Sequence, residues 1–325
     1  MIRNGSAVAV AAMVACGLTM PAAAQTYPSQ TVKIIVPQPP GGGFDTVGRI
    51  LADKLGALLG QTVLVENRIG AGTRVGTEAA AKAPADGHTL LLGALSNIAL
   101  NAGLYTDLPY DPLKDFTPVG LAVTWSYTLV ARKDLPQKDL KELIEFARAN
   151  PDKVTFASAG KGSGQHIAMA ATAQLAGVKL THVAYRGAQA AYQDILGGRV
   201  DLFFDISSTA RSQVDAGTVR ALAVSSRERQ KMHPDVPSVM ETGVAPLDME
   251  SWFGLFAPSA TPAPVLARLR AEFAKVIAMP EVAEVFAKTG GRVMKLSVPE
   301  TEALMKSEVA RWTKLITDAG LRGGT

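Results

Sequence analysis

Val32-Lys-Ile-Ile-Val-Pro-Gln-Pro-Pro-Gly-Gly-Gly-Phe-Asp45 is the stretch that decides the fold of this chain. Its first five residues form an apolar, β-branched run, the pattern of a buried strand. Three consecutive glycines then allow a turn with positive φ and let a ligand approach the main chain. Beyond them Phe44, Val47, Leu51, Leu55 and Leu58 recur at helical spacing. The order strand, glycine loop, helix predicts an α/β sheet covered on both faces, with ligands bound at the carboxyl ends of its strands.

The same unit returns in the middle of the chain. Val154-Thr-Phe-Ala157 reads as a strand, Ser158-Ala-Gly-Lys-Gly-Ser-Gly164 as its loop, and Ile167, Ala170, Ala171 and Leu175 mark a helix. Between and after the two units come strands at residues 63–65, 89–92, 178–183, 200–204 and 219–224. Leu140, Leu143, Ile144 and Ala147 mark a further helix ending at Asn150-Pro151. A proline-rich passage, residues 234–264, contains Trp252-Phe-Gly254. The last helix opens on the capping pattern Ser297-Val-Pro-Glu300 and carries the stripe Met305, Val309, Trp312 and Ile316. No tandem repeat is present. One glycine unit per half predicts two similar sheets facing a cleft.

Composition bounds the function. The chain has 325 residues, 47% hydrophobic and 19% charged, which is globular, and its length favours two domains. Thirty-three basic and 29 acidic residues give +4, scattered with no long basic run. Even the densest stretch, Arg227, Arg229 and Lys231, is interrupted by Glu228, so nucleic acid is excluded as a partner. Arg3, the apolar residues 7–20 and Ala22-x-Ala24 have the layout of a secretory signal peptide, residues 1–24, cut after Ala24. Lipoprotein processing at Cys16 is the competing reading. Cys16 is the only cysteine, so the mature chain is expected to hold no disulfide, thiol nucleophile or cysteine-bound metal.

The two loops offer main-chain amides at helix starts, which suit an anion. Lys161 is followed by Gly162, so the second loop is not a Walker A motif. Gly160, Gly162 and Gly164 do not match G-x-G-x-x-G either. No cofactor is expected. Two anion cradles fit a small carboxylate better than a nucleotide. Ser163 and His166 are three apart, close enough for a nucleophile and base, and a secreted serine hydrolase is the rival reading. That spacing is more usually a helix cap with a neighbouring polar side chain, and no G-x-S-x-G elbow is present. His88, His182 and His233 lack metal-ligand spacing, so no metal site is expected. Asp205 closes a strand near the cleft, where it can accept from a ligand's amino or hydroxyl group or cap a helix.

In order along the chain stand Tyr27-Pro-Ser, Ile35-Val-Pro, Pro40-Gly-Gly-Gly, Val65-Glu-Asn-Arg68, Gly70-Ala-Gly72, Ala83-Pro-Ala-Asp-Gly87, Leu108-Pro-Tyr-Asp-Pro112 and Asp115-Phe. Ala157-Ser-Ala-Gly160, Gly162-Ser163 with His166, His182-Val-Ala-Tyr185, Ala221-Leu-Ala-Val224, Asp235-Val-Pro-Ser238 and Trp252-Phe-Gly-Leu follow. Together these segments resemble the Bug-type receptors, the extracytoplasmic solute-binding proteins of tripartite tricarboxylate transporters.

The resemblance implies a two-lobed periplasmic binding protein (type II, Venus flytrap), each lobe a mixed sheet flanked by helices. Lobe 1 is then 25–123 plus 250–325 and lobe 2 is 124–249. It implies a small organic carboxylate as ligand, permease subunits as partners, a monomer in the periplasm, and no enzymatic activity. A receptor used only for signalling is the remaining alternative. By motif match the ligand-facing residues are Gly41, Gly42, Gly43 and Asp45 in one lobe, and Ser158, Gly160, Gly162, Ser163 and His166 in the other. Ser96, Tyr185 and Asp205 complete the set. Neither loop carries an arginine, so main-chain amides are expected to define the carboxylate site. The chain departs from the family at Ala184, where Pro is frequent, and at Arg186, where Lys is. Trp125 and Tyr127 stand in an interlobe stretch and read either as hinge packing or as a pocket for an aromatic acid.

Overall fold

The computed structural model describes Met1, residues 27–318 and residues 320–323. The signal-peptide reading, the cut after Ala24 and Cys16 lie outside the described residues.

The first unit forms as its sequence dictates. β1 (Val32–Val36) is followed by α1 (Gly43–Leu59), which starts directly on the glycines and buries Phe44, Val47, Leu51 and Leu55. β2 (Val63–Asn67), a tight turn at Ala71–Thr73, α2 (Arg74–Ala81) and β3 (Thr89–Ala94) follow. A π-helical turn, Ser96–Leu100, then runs into the short α3 (Asn101–Leu104). β1 pairs in parallel with both β2 and β3.

β4 (Phe116–Arg132) is 17 residues long and almost wholly buried. The second unit follows it: α4 (Leu140–Ala149), β5 (Thr155–Ser158), α5 (Gly164–Leu175), β6 (Thr181–Ala184), α6 (Ala188–Leu196), β7 (Leu202–Ile206), α7 (Ser207–Asp215) and β8 (Val219–Val224). The chain ends in β9 (Glu250–Pro258), α8 (Ala263–Ala278), α9 (Pro280–Lys288), β10 (Arg292–Val293) and α10 (Val298–Asp318). α10 opens with the capping box read in the sequence. Ser297 Oγ accepts from the Glu300 amide at 3.4 Å, and Glu300 Oε2 accepts from the Ser297 amide at 2.8 Å.

One strand joins the two sheets. From Phe116 to Ser126, β4 pairs antiparallel with β9, which in turn pairs with β3. From Tyr127 onward it pairs with β7 on one edge and, from Thr128, with β8 on the other. β5 pairs in parallel with β6 and β7. The path is therefore β2-β1-β3-β9-β4-β7-β5-β6. α1, α2, α8 and α10 pack on the first half of this path, and α5, α6 and α7 on the second. The return of the chain runs beside β4, where Ser225 Oγ accepts from the Tyr127 amide at 2.8 Å and donates to the Met249 carbonyl.

Trp125 and Tyr127 belong to this joint and are fully buried. Trp125 Nε1 donates to the Thr289 carbonyl at 3.1 Å, and its ring meets Phe253 and Phe286 edge-on. The Tyr127 hydroxyl occupies the space that a Cβ at Gly164 would need. Of the two readings of this pair, packing at the joint is the one the structure shows: both rings are buried in it and neither walls the cavity between the two glycine units.

Candidate functional site

The two glycine units meet across a small, partly open cavity of about 40 Å3. On one side its wall is Gln38-Pro-Pro-Gly-Gly-Gly43, the loop from β1 into α1. On the other side stand Ala159, Gln165, residues 186–189, Asp205 and Thr209. At roughly 10–15 Å3 for each water centre, this space holds about three waters or one carboxylate headgroup.

Four helix starts surround it: α1 through Gly42 and Gly43, α5 through Gln165, α6 through Gly187–Gln189, and α7 through Thr209. The first turn of a helix leaves its amide groups without intrahelical partners. α5 has a side-chain cap, Ser163, but α1, α6 and α7 have none. Each of those ends presents unused N–H groups and a partial positive charge, worth about 0.3–1 kcal/mol toward an anion.

Asp205 is buried in the wall at 1% exposure. Burial pushes its carboxyl up to about 6, against hydrogen bonds that favour the charged form. Those bonds come from the Ile206 amide at 2.8 Å, Tyr192 at 3.0 Å, Gln165 Nε2 at 3.5 Å and the Thr209 hydroxyl. With four donors on two oxygens, its acceptor capacity is filled from within the protein.

Asp45 has a supporting place. Its carboxylate accepts from the Gly41 amide at 3.1 Å, Arg49 Nε at 2.9 Å and Asn67 Nδ2 at 3.1 Å. Burial raises its pKa, but Arg49, the Gly41 amide and Asn67 outweigh that and hold it below the usual carboxylate range. It therefore braces the first glycine loop from behind.

The second loop is built on two histidines. His166 and His182 stack with centroids 4.1 Å apart. Burial lowers their pKa values to about 3 and about 4, so both are neutral near pH 7. His182 Nε2 lies 2.7 Å from Ser158 Oγ, which accepts from the Gly160 amide at 3.2 Å. His166 Nδ1 accepts from the Gly162 amide at 3.3 Å, while Ser163 Oγ accepts from the His166 backbone amide at 3.3 Å. Ser163 is thus a helix cap, and the ring nitrogen facing back along the loop is already occupied. The hydrolase pair is not assembled.

That loop rests on the opposite half of the molecule. Gly162 faces the Tyr105 hydroxyl, and Gly72 faces the Lys161 carbonyl. The turn holding Gly72 is wound left-handed over three residues, with φ of +44° at Ala71, +62° at Gly72 and +80° at Thr73. Asn101 steadies it by donating to Thr73 Oγ1 at 3.1 Å.

Of the residues singled out in the sequence, Gly41, Gly42, Gly43 and Asp205 wall the cavity. Asp45, Ser158, Gly160, Gly162, Ser163 and His166 stand behind it or shape the loops. Ser96 is buried at the start of the π-helical turn, and the Tyr185 hydroxyl donates to Asp194 at 2.7 Å. Gln165, Arg186, Gln189 and Thr209 are wall residues that the sequence reading did not assign to the ligand. A signal existed for two of them: Tyr185-Arg-Gly187 between β6 and α6 is a third strand–glycine–helix junction.

A family model for the tripartite tricarboxylate transporter family receptor matches residues 47–321. The chain belongs to that family. It is a solute-binding receptor, not an enzyme. Among solved structures it is similar to the periplasmic binding protein BugD, at 34% identity and TM-score 0.86, covering 91% of this chain and 99% of that one. It is also similar to an adipate-bound R. palustris protein, at 30% identity and TM-score 0.86, covering 90% and 98%. MatC from Rhodopseudomonas palustris, solved with bound malate, matches at 33% identity and TM-score 0.85, covering 89% and 100%. The receptor accordingly has the two-lobed periplasmic-binding-protein fold expected from its motifs.

Proposed function

We propose that this receptor captures a small organic carboxylate in the cavity between its halves and delivers it to the permease subunits of a tripartite tricarboxylate transporter. The observation that carries the reading is the convergence of three uncapped helix starts, those of α1, α6 and α7, on a cavity the size of a carboxylate headgroup. The dicarboxylates held by two similar receptors, adipate and malate, support it.

In this reading the lobes divide at the crossings in β4 and before β9, lobe 2 being residues 124–249. Gly42 and Gly43 present amides from lobe 1, and Gly41, whose own amide is given to Asp45, shapes the turn before them. Gly187, Ala188 and Gln189 present them from lobe 2. Ser158, Gly160, Gly162, Ser163 and His166 hold the second loop against lobe 1, and Asp45 holds the first. The chain works as a periplasmic monomer after removal of residues 1–24.

The mechanism is a shift of population. A ligand that contacts both lobes only when they are closed stabilises that state by its differential affinity. A micromolar dissociation constant corresponds to about −8.2 kcal/mol, and charge-assisted hydrogen bonds contribute roughly 1.5–3 kcal/mol each. A thermal-shift screen against organic acids tests the reading. A true ligand at 100 times its Kd adds about 2.7 kcal/mol of stability. No shift with any mono-, di- or tricarboxylate refutes it.

A further inference from the structure

The cleft wall contains two charged side chains, and only one is uncommitted. Asp205 is enclosed and satisfied by four donors. Arg186 is exposed at the rim, and among the described residues no ion pair or hydrogen bond engages its guanidinium. That isolation is not the habit of this chain. Arg132 pairs with Asp201, Arg199 with Asp194 and Arg229 with Glu241.

The carboxylates on the elements around Arg186 are taken. Asp194 on α6 is held by Tyr185 and Arg199, and Asp45 behind the facing loop is held by Arg49 and Asn67. The protein therefore supplies a planar cation at the mouth of an anion-binding cleft and no counter-ion for it.

Size sharpens the point. The cavity of about 40 Å3 accommodates one headgroup, so the rest of a longer ligand lies outside it. Arg186, an exposed wall residue, stands where the cavity meets solvent.

We infer that Arg186 binds the second anionic group of the ligand, and that the receptor selects dianionic acids, such as α,ω-dicarboxylates, over monoacids of the same length. This inference rests on the carboxylate reading above. It divides the labour within the site: main-chain amides hold the inner carboxylate, and one guanidinium reads the outer one. A guanidinium matches a carboxylate with two parallel hydrogen bonds, which an ammonium at the same position cannot reproduce.

The test is titration calorimetry of the full mature receptor with matched pairs: succinate against butyrate, glutarate against valerate, adipate against hexanoate, with malate added. The wild type is expected to prefer at least one diacid over its monoacid by about tenfold or more. Arg186→Gln should remove most of that preference, and Arg186→Lys should retain part of it. Wild-type diacid affinity should also fall with added salt more steeply than that of Arg186→Gln, because a rim-exposed ion pair is screened. An unchanged diacid preference in Arg186→Gln, or equal wild-type affinity for both members of every pair, overturns the inference and leaves the carboxylate reading intact. If the wild type binds none of these acids and no tricarboxylate, the carboxylate reading itself fails, and the role of Arg186 falls with it.

Discussion

Gly72 and Lys161 touch across the two halves of the receptor: a Cβ on residue 72 would overlap the Lys161 carbonyl oxygen. Gly72 sits between β2 and α2, and Lys161 between β5 and α5, so this contact exists only while the halves are together. Gly72→Ala should therefore hold the lobes apart without entering the cavity. If the closed population falls to about one tenth, every ligand binds about tenfold more weakly, whatever its chemistry. Calorimetry reads the uniform loss, and small-angle scattering should show a larger radius of gyration with unchanged secondary structure. Full affinity in Gly72→Ala would mean that the contact has no part in closure.

Gly42 is the complementary probe. Its φ is −97°, and the nearest atom to a Cβ added there is Gln38 Oε1 at 3.8 Å, so the protein has room for a side chain. What it displaces is whatever approaches the α1 amides. Gly42→Val should keep the melting temperature within a few degrees and weaken binding by about a hundredfold or more, two charge-assisted contacts being lost. Unchanged affinity would remove the first loop from the site.

Asp205 links stability to pH with a definite sign. Its carboxyl titrates near 6 in the folded protein, against 3.8 for an ordinary aspartate. Between those values the folded state keeps a proton that the unfolded chain has released, so stability falls as pH rises from about 4 to about 6. Below that window both states are protonated, and above it both are ionised. The shift amounts to about 3 kcal/mol. Urea unfolding of wild type and Asp205→Asn should show the difference between the two drifting by about that amount across the window, in favour of the variant as pH rises. A constant difference would place Asp205 in a more polar setting.

Ser163 separates a cap from a nucleophile. Ser163→Ala removes the acceptor for the His166 amide and should lower stability by about 1 kcal/mol. Neither form should hydrolyse p-nitrophenyl esters. Serine-dependent turnover would restore the hydrolase reading.

How far the sequence carried can be seen element by element. The run at residues 32–36 and the glycines after it were legible because pattern and turn chemistry agree there, and β1 and α1 form as read. The strand read at residues 178–183 begins only at Thr181. The Val178 amide turns back to the Ala173 carbonyl and closes α5 instead. β4 and β9 escaped notice because both are buried on both faces, so neither shows the alternation that marks a half-exposed strand. β9 also lies inside a stretch that reads as proline-rich loop. In the site, the glycine loops announced themselves by composition. Gln165, Arg186 and Thr209 did not, because they stand at the starts of three different helices and meet only after β5, β6 and β7 have paired.

The partner of β4 changes from β9 to β7 between Ser126 and Tyr127, within one continuous strand. A loop hinge would let the halves swing freely, but here the ladder bonds clamp the strand on either side of a single peptide unit. Relative motion of the halves then twists the strand itself, in the manner of a leaf spring rather than a loose joint.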